Sequence, residues 1–215
     1  LLRAVHDLDP GALDLVQAEA LIAALRGVPA PAQSSVLARR GADPSSLALG
    51  GWAAALTRDS ASVRSITRQL SALAPPESVL ATSFAQALEG LLALAAGDSA
   101  RALALLRQTW EVHPYGLSGQ MVGEFGFTLA RLERATGDLD GAMRRLATAR
   151  YSQGTGFVSL AESEELRGQI AMQRNDSATA REAFRIFVAL WERADPEFQP
   201  RVAAARAALA RLGPP

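Results

Sequence analysis

The chain contains no cysteine and no lysine, and only two of its 215 residues are histidine. Without cysteine there is no disulfide, no thiolate nucleophile and no sulfur-ligated metal, and the redox compartment is left open. Without lysine, all 22 basic side chains are arginine; arginine stays protonated, so a Schiff-base or general-base lysine is excluded. From His6 and His113 no His-Glu-x-x-His pair, two-histidine metal spacing or Ser/His/Asp arrangement can be built. No apolar run approaches the roughly 18 residues of a membrane span. The 22 acidic residues balance the basic ones, so no global field draws the chain to nucleic acid or an anionic membrane.

What remains is rich in alanine and leucine and poor in the β-branched residues and tyrosine that favour strands, which predicts an all-α fold. The arginine and alanine bias points to a bacterial source. The chain opens Leu-Leu-Arg without methionine, which reads as a fragment or processed product. Its compartment stays open between the cytoplasm and the exposed part of a membrane-tethered protein.

Start and stop signals divide the chain into helices. Asp9-Pro10 opens a helix over 12–25 that stops at Gly27, and a second short helix covers 33–40. Asp43-Pro44 starts the next, through Trp52 to Leu56, and Ser60 is placed to cap a helix that Pro75-Pro76 closes. Ser78 begins a long helix to Ala96, Asp98 or Ser99 caps its partner, and Pro114 ends it. The same alternation continues from Gly119 to Thr136, from Leu139 to Tyr151, from Val158 to Arg174 and from Ser177 to Ala194. Ser152 to Gly156 reads as a glycine-rich joint. After Asp195-Pro196 a last amphipathic helix covers Arg201 to Leu212.

A repeat underlies this order. Gly51, Gly90, Ala130 and Gly168 stand 39, 40 and 38 positions apart, within the range of helical repeats. Seven positions after each comes a break: Arg58-Asp59, Gly97-Asp98, Gly137-Asp138 and Asn175-Asp176. Twelve positions after each stands Val63, Ala102, Ala142 or Ala180. Antiparallel helices approach closely only where side chains are small, so the glycine or alanine of the first helix is expected to face the alanine of the second. Glycine or asparagine supplies the left-handed end of the first helix, and aspartate helps cap the second.

At these residues the chain resembles the tetratricopeptide repeat family. Gly90, Gly97, Ala102 and Pro114 carry the resemblance in one unit, Leu129, Gly137, Ala142 and Ala149 in another, and Gly168, Ala180 and Phe184 in a third. The unit around Gly51 keeps mainly its glycine and Pro75. The resemblance covers 44–194, with units longer than the family's roughly 34 residues and most first-helix aromatic positions lost. It implies a right-handed α-solenoid of antiparallel helix hairpins, about ten to eleven helices in all. Four hairpins, at about 44–76, 77–115, 116–153 and 154–194, follow flanking helices over 1–43; residues 195–215 supply a capping helix and tail. The tail, from Phe184 through Leu212, is similar to the ends of tetratricopeptide regions in multidomain bacterial signalling proteins, which implies an accessory region of a larger polypeptide.

In that family the first helices line a concave groove. The resemblance therefore implies a partner-binding surface of Trp52, Phe84, Leu91 and Phe127 in the N-terminal half, and of Arg131, Arg134, Glu162 and Glu165 in the C-terminal half. The alternative for each aromatic is core packing between repeats. Trp110 and Trp191, late in second helices, are expected to anchor packing, and Arg144-Arg145 to lie on a solvated convex face. The clamp by which some family members hold a terminal carboxylate uses Lys and Asn as well as Arg. Here lysine is absent and Asn175 sits in a turn, so only Arg131 and Arg134 remain for such a role.

Catalytic motifs are lacking. Gly116-Leu117-Ser118-Gly119 is one residue short of a nucleophile elbow and follows no strand. Gly154-Thr155-Gly156 has no lysine after it and is no phosphate loop. Glu162, Glu164 and Glu165 suit the start of a helix through its dipole alone. The expectation is a non-enzymatic interaction module without cofactor or metal, taking a peptide, a protein or a sister subunit. A sensor of a small apolar or anionic ligand, with a pocket lined by Trp52, Phe84 and Phe127, is the alternative.

Overall fold

A computed structural model of the chain describes residues 44–73, 79–112, 119–149 and 156–213. Among them are nine α-helices, one 3-10 turn and no strand. The helices are α1 (Pro44–Leu56), α2 (Ser60–Leu73), α3 (Val79–Ala95), α4 (Ser99–Val112), α5 (Gly119–Ala135), α6 (Leu139–Ala149), α7 (Gly156–Gln173), α8 (Ser177–Trp191) and α9 (Gln199–Leu212). The 3-10 turn, Pro196–Phe198, leads into α9. The expected helices over 12–25 and 33–40, His6, His113 and the joint at 152–155 lie outside the described residues. No helix among those described is long and apolar enough to cross a membrane.

Each pair α1/α2, α3/α4, α5/α6 and α7/α8 is joined by the same connection. Arg58, Gly97, Gly137 and Asn175 take positive φ, at 60°, 83°, 84° and 59°. Their N–H groups donate to the carbonyls three residues back, those of Ala55, Leu94, Arg134 and Met172. The next residue is always aspartate, and its N–H donates to the carbonyl five residues back at 2.8–2.9 Å. This is the Schellman ending, which uses carbonyls that the helix leaves without partners.

The same four aspartates begin the second helices. Carboxylates of Asp59, Asp98, Asp138 and Asp176 accept from the backbone N–H of Ser62, Arg101, Gly141 and Thr179 at 2.9–3.0 Å. The cap therefore sits on aspartate, as the repeat predicts and as one of the two alternatives Asp98 and Ser99 has it, and one position before the expected Ser60. The reason is that aspartate already occupies the non-helical position after the left-handed residue, so serine falls inside the first turn. Hydrogen bonds from Ser62 and from Thr179 hold the carboxyls of Asp59 and Asp176 below the ordinary carboxylate range. Arg58 adopts the left-handed conformation without the steric exemption that glycine has, a local cost of roughly 1–2 kcal/mol.

The small first-helix residues create room, but for a different neighbour than alanine. The side-chain atoms nearest to a β-carbon added at Gly90 belong to Leu106 and Leu105, and at Gly168 to Phe184. Leu106 and Phe184 stand one helical turn beyond Ala102 and Ala180, so the alanines narrow the hairpin while the glycines receive the next large side chain. Ala130 shares a core cluster with the corresponding Leu146, together with Ala142, Leu166 and Ile170; Phe127, Leu139 and Met143 pack on it. At Gly51 the corresponding residue is the small Thr67, and Leu88 of the following hairpin fills the space, 2.5 Å from an added β-carbon.

Gly168→Ala tests this packing. The new β-carbon would stand 2.7–2.9 Å from three ring carbons of the buried Phe184. Overpacking costs about 1–3 kcal/mol, against a helix-propensity gain of about 1 kcal/mol. A net loss of up to about 2 kcal/mol is expected in urea unfolding, with partial recovery when Phe184→Leu is added.

Contacts divide the chain into two compact units, with the boundary inside α5 between Phe125 and Gly126. In the N-terminal unit α1 packs on α2 and α3, α2 on α3, and α3 on α4. Its core includes Leu47, Val63, Leu70, Leu88, Leu106 and Trp110. In the C-terminal unit α6 packs on α7, α7 on α8, and α8 on α9. Its core includes Leu146, Ile170, Phe184, Phe187, Trp191 and Val202.

Candidate interaction site

The residues singled out in the sequence separate into two groups. Trp52 is 3% exposed, Phe84 0% and Leu91 7%; all three are core side chains of the N-terminal unit. Phe127 is half-buried against the Ala130–Leu146 cluster, with the Arg131 guanidinium 6.0 Å from its ring centre. Arg131, Arg134, Glu162 and Glu165, by contrast, come together in the C-terminal unit where α5, α7 and α9 adjoin.

Arg134, in the last turn of α5, reaches across to α7. Its Nη1 donates to Gln169 Oε1 at 2.5 Å and its Nε to Gln173 Oε1 at 3.2 Å. Arg201 of α9 reaches α7 from the other side, donating to Glu162 Oε1 at 3.0 Å and to Glu165 through both Nε and Nη2. The same guanidinium lies over the Trp191 ring, 4.6 Å from its centre. These contacts join residues 35 to 39 positions apart, close to the repeat period. By that register α9 stands where the first helix of a further repeat would stand.

The electrostatics of this face are unequal. Burial pushes the Glu162 carboxyl above the ordinary value of 4.5, although Arg201 and, from α5, Arg131 pull it down. Burial also disfavours the Arg201 charge, but Glu165 and Glu162 more than offset it and raise that guanidinium. Both directions hold together because Arg201 gains two carboxylates while Glu162 shares one guanidinium with Glu165. A raised carboxyl means that the folded chain binds that proton more tightly than the unfolded chain. Stability from this group therefore falls as pH rises from the unfolded value through the native one. Relative to the native chain, Glu162→Gln is expected to gain stability as pH rises from the ordinary glutamate value through the raised native one in denaturant titrations.

Beside these pairs is a cavity of about 300 Å³ lined by Arg134, Glu165, Gln169, Met172, Ala204, Ala205, Ala208 and Arg211, with Phe184 at its wall. Its walls are apolar: the exposed Met172, the ring of Phe184 and the three alanines of α9. Its charged margin is Arg134 on α5, Glu165 on α7, which is paired with Arg201, and the exposed Arg211 in the last turn of α9.

No protein-family model, curated protein or solved structure matches the chain. The site must therefore be read from its own chemistry. Among the described residues no group of three or more His, Cys, Asp or Glu is arranged to hold a metal ion. The groups lining the cavity are two guanidiniums, the Glu165 carboxylate paired with Arg201, an amide, a methionine, a phenylalanine and small apolar side chains, which bind and orient.

Gln169, Gln173, Met172, Arg201 and Arg211 were not singled out in the sequence. The repeat spacing carries a signal for three of them, because Gln169 and Gln173 follow Arg134, and Arg201 follows Glu162, by about one period. Arg145 departs from the expected solvated face: it is half-buried and pairs with the buried Glu133 at 3.4 Å. One turn of α6 carries it back over α5, while Arg144 remains exposed.

Proposed function

We propose that the chain is a non-catalytic interaction module that takes a peptide or protein partner on the α5/α7/α9 face, without cofactor. Its hairpins are read as divergent tetratricopeptide-like units stacked in a right-handed solenoid, an accessory region of a larger bacterial signalling protein. The carrying observation is the cavity bounded by Arg134 and Arg211, whose walls are Met172, Phe184 and the alanines of α9. Apolar walls with a few placed donors are the usual make-up of a binding surface.

Methionine-methyl NMR tests this reading with an internal control. Met172 is exposed beside the cavity, whereas Met143 packs on the Ala130–Leu146 cluster. A binding peptide is expected to shift the Met172 methyl signal and leave Met143 in place. The double variant Arg134→Ala/Arg211→Ala should weaken binding about tenfold with little change in thermal midpoint. Equal loss of binding and stability would make the two arginines structural and sink the proposal.

The second reading, a sensor for a small anionic ligand, draws on cavity size, since about 300 Å³ is at the lower edge of ligand pockets. Saturable binding of a small carboxylic acid, abolished in the same double variant, would favour it.

A further inference from the structure

We infer that the partner segment is acidic, carrying internal Asp or Glu side chains on both sides of one apolar residue; this rests on the interaction reading above. The apolar side chain enters the cavity between Met172, Phe184 and the α9 alanines, and the flanking carboxylates meet Arg134 and Arg211.

Charge complementarity carries the assignment. Arg134 is oriented by two glutamine amides, which direct a guanidinium without neutralising it. Arg211 and Arg131 have no ion pair among the described residues, and both are exposed. The two carboxylates of the face, Glu162 and Glu165, share the one guanidinium of Arg201, and Arg131, Arg134 and Arg211 beside them leave the face with more positive than negative charge. The chain as a whole is neutral, so the cationic surplus here arises from position. An arginine held by neutral partners is ready for a carboxylate fork at small reorganisation cost.

The cavity selects further. Ala204, Ala205 and Ala208 leave a hollow where larger side chains would fill the space, and Met172 adapts its shape to an incoming apolar group. The surplus is spread over α5 and α9, which favours separate side-chain carboxylates over one terminal carboxylate. A nucleic acid would satisfy the arginines but not the apolar hollow, and among the residues whose side chains are described the face offers no exposed aromatic platform for base stacking.

The test is fluorescence polarisation with the full chain and a labelled Asp-Glu-Leu-Asp-Glu peptide, blocked at both ends so that no terminal carboxylate exists. Binding is expected to weaken with salt. Serine in place of the leucine, or Asn and Gln in place of the acids, should each weaken it about tenfold or more. Arg134→Ala/Arg211→Ala should do the same, while Arg144→Ala on the exposed side of α6 should leave binding unchanged. Equal binding of the serine peptide, a requirement for a free C-terminus, or equal displacement by an oligonucleotide of matched charge would each overturn the inference. If the acidic peptide fails while other compositions shift the Met172 methyl signal, this inference falls and the interaction reading stands. If no peptide of any composition moves that signal, the interaction reading falls as well.

Discussion

Trp191→Ala is expected to lower the stability of the C-terminal unit by about 3–5 kcal/mol, read as the shift in urea midpoint at unchanged slope. Trp191 is buried near the end of α8. Its ring centre is 5.3 Å from that of Phe187 and 5.2 Å from that of Phe198, both tilted. The Arg201 guanidinium lies over it. The ring thus links α8, the 3-10 turn and α9, and its removal leaves a cavity where three elements converge. Aromatic pairs add about 0.5–1.5 kcal/mol each beyond burial, and the cation contact about 0.5–2 kcal/mol. Leu190, next in the chain but exposed, is the control: Leu190→Ala should change stability by no more than about 0.5 kcal/mol. A similar loss in both variants would mean that α9 is not anchored through the tryptophan.

Arg201→Ala is expected to cost about 2–4 kcal/mol, because Glu162, 7% exposed, is left without its main partner. The lower part of the usual range applies since the Arg201 side chain is itself 32% exposed, and water can partly replace it. Adding Glu162→Gln should recover about half of the loss, a coupling that a double-mutant cycle isolates. Arg201→Lys should recover less, since one ammonium cannot reproduce the fork that meets Glu162 and Glu165 or the flat stacking on Trp191. Simple additivity of the two single changes would show that the carboxylate rehydrates freely, and would remove the pair as the tie between α9 and α7.

The helices and their connections were legible because they depend on local chemistry. Gly97-Asp98 and Gly137-Asp138 state a left-handed ending followed by a cap in two adjacent residues, and Asn175-Asp176 states it with the next most tolerant residue. Arg58-Asp59 was legible only through the repeat, since arginine carries no preference for the left-handed region. The side chains nearest to Gly90 and Gly168 differ from the expected alanines for a geometric reason. The offset of twelve identifies the alanine that lets the helices approach, but the side chain that fills the gap comes one turn later. That distinction needs the crossing of the two helices.

The candidate site divides in the same way. The resemblance implies that Arg131, Arg134, Glu162 and Glu165 share a surface, and Arg134 and Arg201 make cross-helix contacts in that part of the C-terminal unit. Trp52, Phe84 and Leu91 lie on first helices too, yet they are core. Periodicity assigns a residue to a stripe of a helix, whereas the depth of the neighbouring hairpin decides whether that stripe is covered. Arg145 shows the converse, a charged residue drawn inward by a buried glutamate that sequence spacing alone did not connect to it.

The sequence by itself determined an all-helical chain of hairpins, their period and the residues that end and restart each helix, because capping and left-handed turns act within a few residues. Only the tertiary structure decided which charges are consumed and which remain available. Whether Glu162 is a free anion or the buried partner of Arg201, and whether Arg134 meets a carboxylate or two amides, depends on side chains about one repeat away. Packing sets those distances, and the Coulomb and desolvation energies follow from them.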